Sequence, residues 1–386
     1  MKVLNMLNSF VNVIREIYGD GFVPLHRPIF SETEKNSVAK VIESNFVSSA
    51  GMEIEVFERE MAEYTGASYA IATVNGTAAL HVSLTLAGVS AGTEVITQAV
   101  SFVATANAVS YCGAAPVFID VDRDTMGMSP EALIAFLQSN VDMRHGQAFN
   151  KGSGARISAC VPMHTFGHPA RIDEIYDICA AFNIALVEDC AESLGSFIGG
   201  THTGRAGKFA TFSFNGNKII TTGGGGMIIT DDEELAQRAK HITTTSKQPH
   251  AYEYFHDEVG FNYRMPNLNA AMGLAQIKKL DDFLTKKRIV AESYREFFAS
   301  SPARFVWERE GTQANFWLNC VILEDLEARN EFLKYTNENG VMTRPLWHLL
   351  NRLPMYESCE TDALTHSNFL AERLVNIPSS VPSLEV

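Results

Sequence analysis

From about residue 57 to 235, short apolar runs bounded by polar turns alternate with stretches of helical periodicity. No other feature constrains the fold as much, because a chain written this way builds βαβ units around a mostly parallel sheet. Apolar runs over 69–74, 94–97, 116–120, 157–164, 185–189, 209–214 and 226–230 predict seven strands, several of them apolar throughout, as strands covered on both faces are. Helical spacing predicts helices over 31–43, 52–64, 77–86, 130–138, 171–182 and 232–241. The stretch 144–154, with three glycines and mixed charges, reads as a loop. A long helical region over 268–298 carries Ile277, Leu280 and Leu284 on one face and reads as an arm. The expected organisation is an N-terminal amphipathic helix over 1–22, a large domain over 23–265, and a linking helix with a smaller domain over 266–386.

Lys and Arg total 31 against 45 Asp and Glu, a net charge of −14. That charge repels nucleic acid and anionic membrane surfaces, so neither is expected as a partner. An anionic small molecule would need local compensation from a few Arg, Lys or backbone N–H groups. The six cysteines lie scattered without CxxC pairs, as free thiols of a reducing compartment do, and the cytoplasm is the expected address. Asn, Arg and Glu interrupt the apolar positions Leu7, Val11 and Ile14, so the first 20 residues do not read as a signal peptide. No apolar run reaches the length of a membrane span.

Ligands of parallel α/β sheets collect beyond the carboxyl ends of the strands, and three such ends carry chemistry. Asn75-Gly76-Thr77 opens a helix, either as a plain turn and cap or as an anion site built from free first-turn amides and the Thr77 hydroxyl. Asp189 ends a buried run, either as a helix cap or as the partner of a protonated ring nitrogen. Lys218 follows a strand and precedes Gly223-Gly224-Gly225-Gly226, with Ser213 five residues before it. It is either a surface lysine or, enclosed, an amine able to form a Schiff base. Two anion donors, an acid and a lysine on strand ends favour the enclosed reading.

These residues resemble the DegT/DnrJ/EryC1/StrS family of sugar aminotransferases from about Phe22 to Pro382. The carriers are Val23-Pro24-Leu25-His26-Arg27-Pro28, Asn75-Gly76-Thr77-Ala78-Ala79-Leu80, Ser101-Phe102-Val103-Ala104-Thr105, Glu188-Asp189-Cys190-Ala191-Glu192-Ser193-Leu194-Gly195, the lysine segment, and Gly260-Phe261-Asn262-Tyr263-Arg264-Met265. The resemblance implies a fold-type I enzyme dependent on pyridoxal 5′-phosphate, with a mixed, mostly parallel seven-stranded sheet in the large domain and a smaller C-terminal α+β domain. It implies that Lys218 is the Schiff-base lysine and general base and that Asp189 holds the ring nitrogen. Gly76, Thr77, Ala78 and Ser213 match the phosphate site, Phe102 the ring-stacking aromatic, and Glu192 a cofactor neighbour where relatives more often carry Gln or His. Asn262 and Arg264 match the segment reaching the neighbouring subunit, which implies a homodimer with shared active sites.

The implied reaction moves an amine from an amino acid, glutamate, to a keto-sugar. Members that dehydrate sugars carry histidine at the lysine position, so Lys218 points to transamination. The lysine segment and the extra N-terminal helix look most like the branch that aminates C-4 of UDP-linked 4-keto-6-deoxy-2-acetamido sugars, of the legionaminic acid or bacillosamine type. In that branch Phe46, Arg344, Trp347 and His348 line the nucleotide-sugar cleft, and Arg27, Arg264 and Arg344 are candidate cations for the diphosphate. The alternatives are amination at C-3 or C-4 of a dTDP-keto-sugar and a non-catalytic sensor on the same fold. No metal site is expected, since Gly167 and Pro169 break the helix that would pair His164 with His168. His164, ending a strand, is expected to face the cofactor, and Trp307 and Trp317 to lie in the small domain's core.

Overall fold

The computed structural model describes residues 2–382, so Met1 and 383–386, the ends of the expected terminal segments, lie outside it. Seven strands form the main sheet: β1 Tyr69–Thr73, β2 Glu94–Gln98, β3 Ala115–Ile119, β4 Ile157–Val161, β5 Ala185–Asp189, β6 Phe209–Ser213 and β7 Gly226–Thr230. Their spatial order is β1-β7-β6-β5-β4-β2-β3. β7 runs antiparallel to both of its neighbours, and the other pairings are parallel. The interior strands β2, β4 and β7 are buried at every position, which is why their sequences are mostly apolar or β-branched, with Glu94 and Gln98 only at the two ends of β2.

Register sets the site. Thr211 of β6 lies opposite Asp189 of β5, and Ser213 lies opposite Gly226 of β7. The acid, the serine and the glycine run therefore share one edge of the sheet.

Five helices occupy the first part of the chain: α1 Lys2–Tyr18, α2 Glu32–Ser44, α3 Met52–Thr65, α4 Gly76–Leu86 and α5 Val103–Tyr111. α2 starts on a capping box between Ser31 and Glu34. α1 is more than a surface helix, for Leu7, Phe10, Val11 and Ile14 are buried with Val290, Tyr294, Phe298 and Phe332. That cluster continues into a second, four-stranded sheet whose Val321, Val375 and Ile377 it includes.

Three expectations change. The arm over 268–298 is two helices, Asn267–Ile277 and Leu280–Phe298. They break at Lys279, whose φ of −105° and ψ of −2° leave the helical range and whose ammonium reaches Glu34 at 2.6 Å. The expected loop over 144–154 begins inside an antiparallel hairpin, Val141–Arg144 with Gln147–Asn150. Its two-residue turn has positive φ at both His145 and Gly146, the geometry that matches the twist of flanking strands. α5 has no helical prediction above, because its small residues are buried without amphipathic contrast. Among the described residues no helix is long and apolar enough to cross a membrane.

Candidate active site

The carboxyl ends of β1, β2, β4, β5 and β6 converge on one cavity, lined among others by Gly76, Thr77, Phe102, Asp189, Ser213 and Lys218. α4 begins there. Asn75 caps it by accepting the Ala78 N–H at 2.7 Å, and its carbonyl takes the Ala79 N–H at 3.1 Å. The amides of Gly76 and Thr77 precede that first intrahelical bond and stand at the positive end of the helix dipole. Ala78, expected among the cofactor contacts, has its amide engaged by the cap and does not line the cavity.

The glycines here serve packing as well as access. A Cβ on Gly76 would lie 2.9 Å from the Ser213 Cβ, so only glycine lets α4 meet the end of β6 this closely. A Cβ on Gly226 would lie 2.4 Å from the Asn75 carbonyl oxygen. Asn269, from the helix Asn267–Ile277, pins the glycine run by donating to the carbonyls of Thr222 at 2.7 Å and Gly224 at 3.1 Å.

Asp189 is buried, and both of its oxygens are positioned. Thr105 donates its hydroxyl to Oδ2 at 2.8 Å, and the Ala191 amide donates to Oδ1 at 3.1 Å. Thr105 is in turn bonded to Ser101 at 2.8 Å. Burial pushes the Asp189 carboxyl above its ordinary range, while Thr105, Ala191, Lys218 and His164 pull it back. Thr105 went unrecognised in the sequence, although its spacing from Ser101 is that of one helical turn.

Lys218 Nζ lies 3.2 Å from Glu192 Oε1 and 4.0 Å from the centre of the Trp317 ring. Trp317, expected in the small domain's core, packs there on one side and walls the cavity on the other. Glu192 Oε2 accepts the Phe166 N–H at 2.8 Å. Burial raises the Glu192 carboxyl to about 7, against the opposing pull of Lys218 and the Phe166 amide.

Of the remaining candidates, Phe102 and Trp347 line the cavity with ring centres 6.0 Å apart. The structure does not bring Arg27, Phe46, Asn262, Arg264, Arg344 or His348 to its lining. Arg264 is buried and donates to Glu58 at 3.0 Å, an ion pair that ties β1 to α3 because Glu58 also accepts the Ala72 N–H at 2.9 Å. Arg344, in the edge strand Arg344–Pro345 of the second sheet, donates to Asn337 at 3.1 Å. The side chains of Arg27, Asn262 and His348 are exposed, as is Phe46, whose carbonyl accepts from Asn267 at 2.9 Å. His164 faces away from the cavity lining: its Nε2 meets the buried Glu188 at 3.1 Å and its Nδ1 accepts the Ala170 N–H.

Pyridoxal phosphate asks for an amine beside its aldehyde, an acid beside its ring nitrogen, anion donors for its phosphate and a flat wall for its ring. The buried Asp189, held above its usual range, fits a cationic ring nitrogen, and the Gly76–Ser213 cradle leaves two helix-start amides for an anion. A mostly parallel seven-stranded sheet carrying this set at its carboxyl edge defines a pyridoxal phosphate enzyme of fold type I. Residues 28–385 match the DegT/DnrJ/EryC1/StrS aminotransferase family, and the chain belongs to it.

Among curated relatives, the GDP-perosamine synthase of Escherichia coli O157:H7 is 34% identical over 364 residues, covering 94% of both chains. The putative pyridoxal phosphate-dependent aminotransferase EpsN of Bacillus subtilis is 35% identical over 334 residues, covering 86% of this chain and 83% of its own. Among solved structures, the aminotransferase TlmJ of Streptoalloteichus hindustanus superposes with a TM-score of 0.85 at 27% identity, over 93% of this chain and 94% of its own.

Proposed function

We propose that this enzyme transfers an amino group from an amino acid, glutamate, to C-4 of a UDP-linked 4-keto-6-deoxy-2-acetamido sugar in bacterial surface-sugar biosynthesis. The observation that carries the aminotransferase part is the meeting of Lys218, Asp189 and the Gly76–Ser213 cradle in one cavity. Similarity to a GDP-perosamine synthase and to EpsN supports a sugar as acceptor. The UDP-linked sugar rests on the form of the lysine segment, Asn215 to Gly223.

When bound, pyridoxal phosphate supplies an aldehyde that takes up the amine and a ring that delocalises the electron pair left on the substrate carbon. The chain's residues do the rest. Gly76, Thr77 and Ser213 hold the phosphate, and Asp189, oriented by Thr105, keeps the ring nitrogen protonated. Phe102, which lines the same cavity, would stack on the ring. In each half-reaction Lys218 would move the proton between the substrate carbon and C4′ of the cofactor, its amine confined by Trp317 and Glu192. Trp317 and Trp347 narrow the cavity and exclude water from that transfer.

The assembly is proposed as a homodimer with shared sites, in which the exposed Asn262 and the exposed aromatic segment of Tyr252, Tyr254 and Phe255 face the second copy. The large and small domains meet near residue 265.

A second reading, amination of a GDP-linked sugar, is favoured by the 34% identity to GDP-perosamine synthase. Incubating the aminated cofactor form with UDP-, GDP- and dTDP-linked 4-keto-sugars decides the acceptor. The UDP reading expects discharge by the UDP-sugar, and discharge by only the GDP- or dTDP-sugar would overturn it.

A further inference from the structure

In the chemistry above Glu192 only confines the Lys218 amine, a task that does not need an acid. It is 2% exposed, its Oε2 is fixed by the Phe166 amide at 2.8 Å, and its Oε1 faces Lys218 Nζ at 3.2 Å. Phe166 aims that amide from a φ of 57° and ψ of 14°, the left-handed region that a bulky side chain avoids. Such strain persists where surrounding packing over-determines it, and here Trp347 and Trp317 pack tilted against the Phe166 ring with centres 4.9 and 6.4 Å away. One carboxylate oxygen is thus immobilised and the other presented to the amine.

We infer that Glu192 and Lys218 share a single proton, and that Glu192 is a catalytic residue that takes it from Nζ to expose the amine lone pair and later returns it. This rests on the reading of Lys218 as the cofactor-binding lysine. In the step an N–H bond of the ammonium breaks, its electron pair stays on nitrogen, and an O–H bond forms on Oε1. An ammonium and a carboxylate become a neutral amine and a neutral acid, with no change in net charge. Burial favours the exchange because it removes two charges from a site that solvates neither well.

The surrounding groups bias the pair without replacing it. Asp189, at the end of β5, adds negative charge that raises the Glu192 carboxyl further. The Trp317 face covers the amine on another side. His26, from the segment before α2, is half-buried with both ring nitrogens enclosed and unpartnered among the described residues, and its ring is held neutral by burial and by the nearby Lys287 and Lys218. Lys287 is turned to the carbonyls of Trp317 and Ser379.

The test is competitive acetylation of the cofactor-free full chain across pH 5 to 11, following the Lys218 peptide by mass spectrometry, in the natural protein and in Glu192→Gln. Glutamine keeps an oxygen for the Phe166 amide but takes no proton. With a shared proton, Lys218 labelling in the natural protein rises in two steps, and Glu192→Gln loses the first step. A single rise in the natural protein overturns the inference, and that arm stands even if the variant does not fold. Two steps retained in Glu192→Gln also overturn it. In parallel, borohydride reduction of the pyridoxal phosphate-loaded protein locates the cofactor. An adduct on a lysine other than Lys218 refutes the underlying reading, and an adduct on Lys218 with single-step labelling refutes only the shared proton.

Discussion

Trp317 grips the catalytic segment twice: its indole N–H donates to the Asn217 carbonyl at 2.6 Å, and its face lies 4.0 Å from the Nζ of Lys218, the next residue. One side chain thereby fixes both the backbone before the lysine and the direction of its amine. Contacts of a cation with an aromatic face contribute about 0.5–2 kcal/mol. Trp317→Leu should lower kcat by about tenfold while cofactor absorbance per protein stays near that of the natural enzyme. Trp317→Phe, which keeps a ring face, should fall between. Unchanged kcat in Trp317→Leu contradicts this role.

Asp189→Asn keeps the shape and the Thr105 partner but removes the charge that holds a ring proton. Removing one preorganised electrostatic group from an enclosed site costs about a hundredfold or more in turnover. The variant should bind pyridoxal phosphate, seen by its absorbance, yet transfer amine at least that much more slowly. Rates within a few-fold of the natural enzyme would show that the acid does not serve the ring.

The sheet was legible because its strands are buried on both faces and so announce themselves as apolar runs, and the three strand-end segments carrying Gly76, Asp189 and Lys218 stood out by residue type. What lay beyond the sequence was company. Trp317 reads as core from its neighbours, and its second face is visible only once the chain folds back on Lys218. The Phe166 amide bonds a carboxylate 26 residues away through a backbone conformation that no side-chain pattern encodes. Arg264 looked free for a diphosphate because the sequence gives no sign of Glu58, 206 residues distant, as its partner.

That pairing gives the third prediction. Breaking a buried ion pair by removing one partner costs up to about 3–5 kcal/mol, and here Glu58 would keep only the half-exposed Lys240 at 3.7 Å. Arg264→Met should therefore lower thermal stability sharply and leave KM for the nucleotide sugar near that of the natural enzyme at temperatures where it is folded. A stable variant with a greatly raised KM would return Arg264 to the substrate.

Lys287 is buried, and desolvation lowers its ammonium to about 7, against about 10.4 for an ordinary lysine. Between those values the unfolded chain holds a proton that the folded chain has released, so stability rises with pH across that window and the burial cost is greatest below about pH 7. The stability of the natural protein relative to Lys287→Met should accordingly increase from pH 7 to pH 9 in denaturant titrations. A difference that stays flat or falls over that range contradicts the buried, proton-shedding lysine.

The most direct test of the whole account is where the cofactor becomes attached. Pyridoxal phosphate added to the cofactor-free protein, reduced with borohydride and followed by digestion and mass spectrometry, should leave its adduct on the peptide bearing Lys218, with none formed in Lys218→Ala. An adduct on Lys287 or any other lysine, or undiminished labelling in Lys218→Ala, contradicts it.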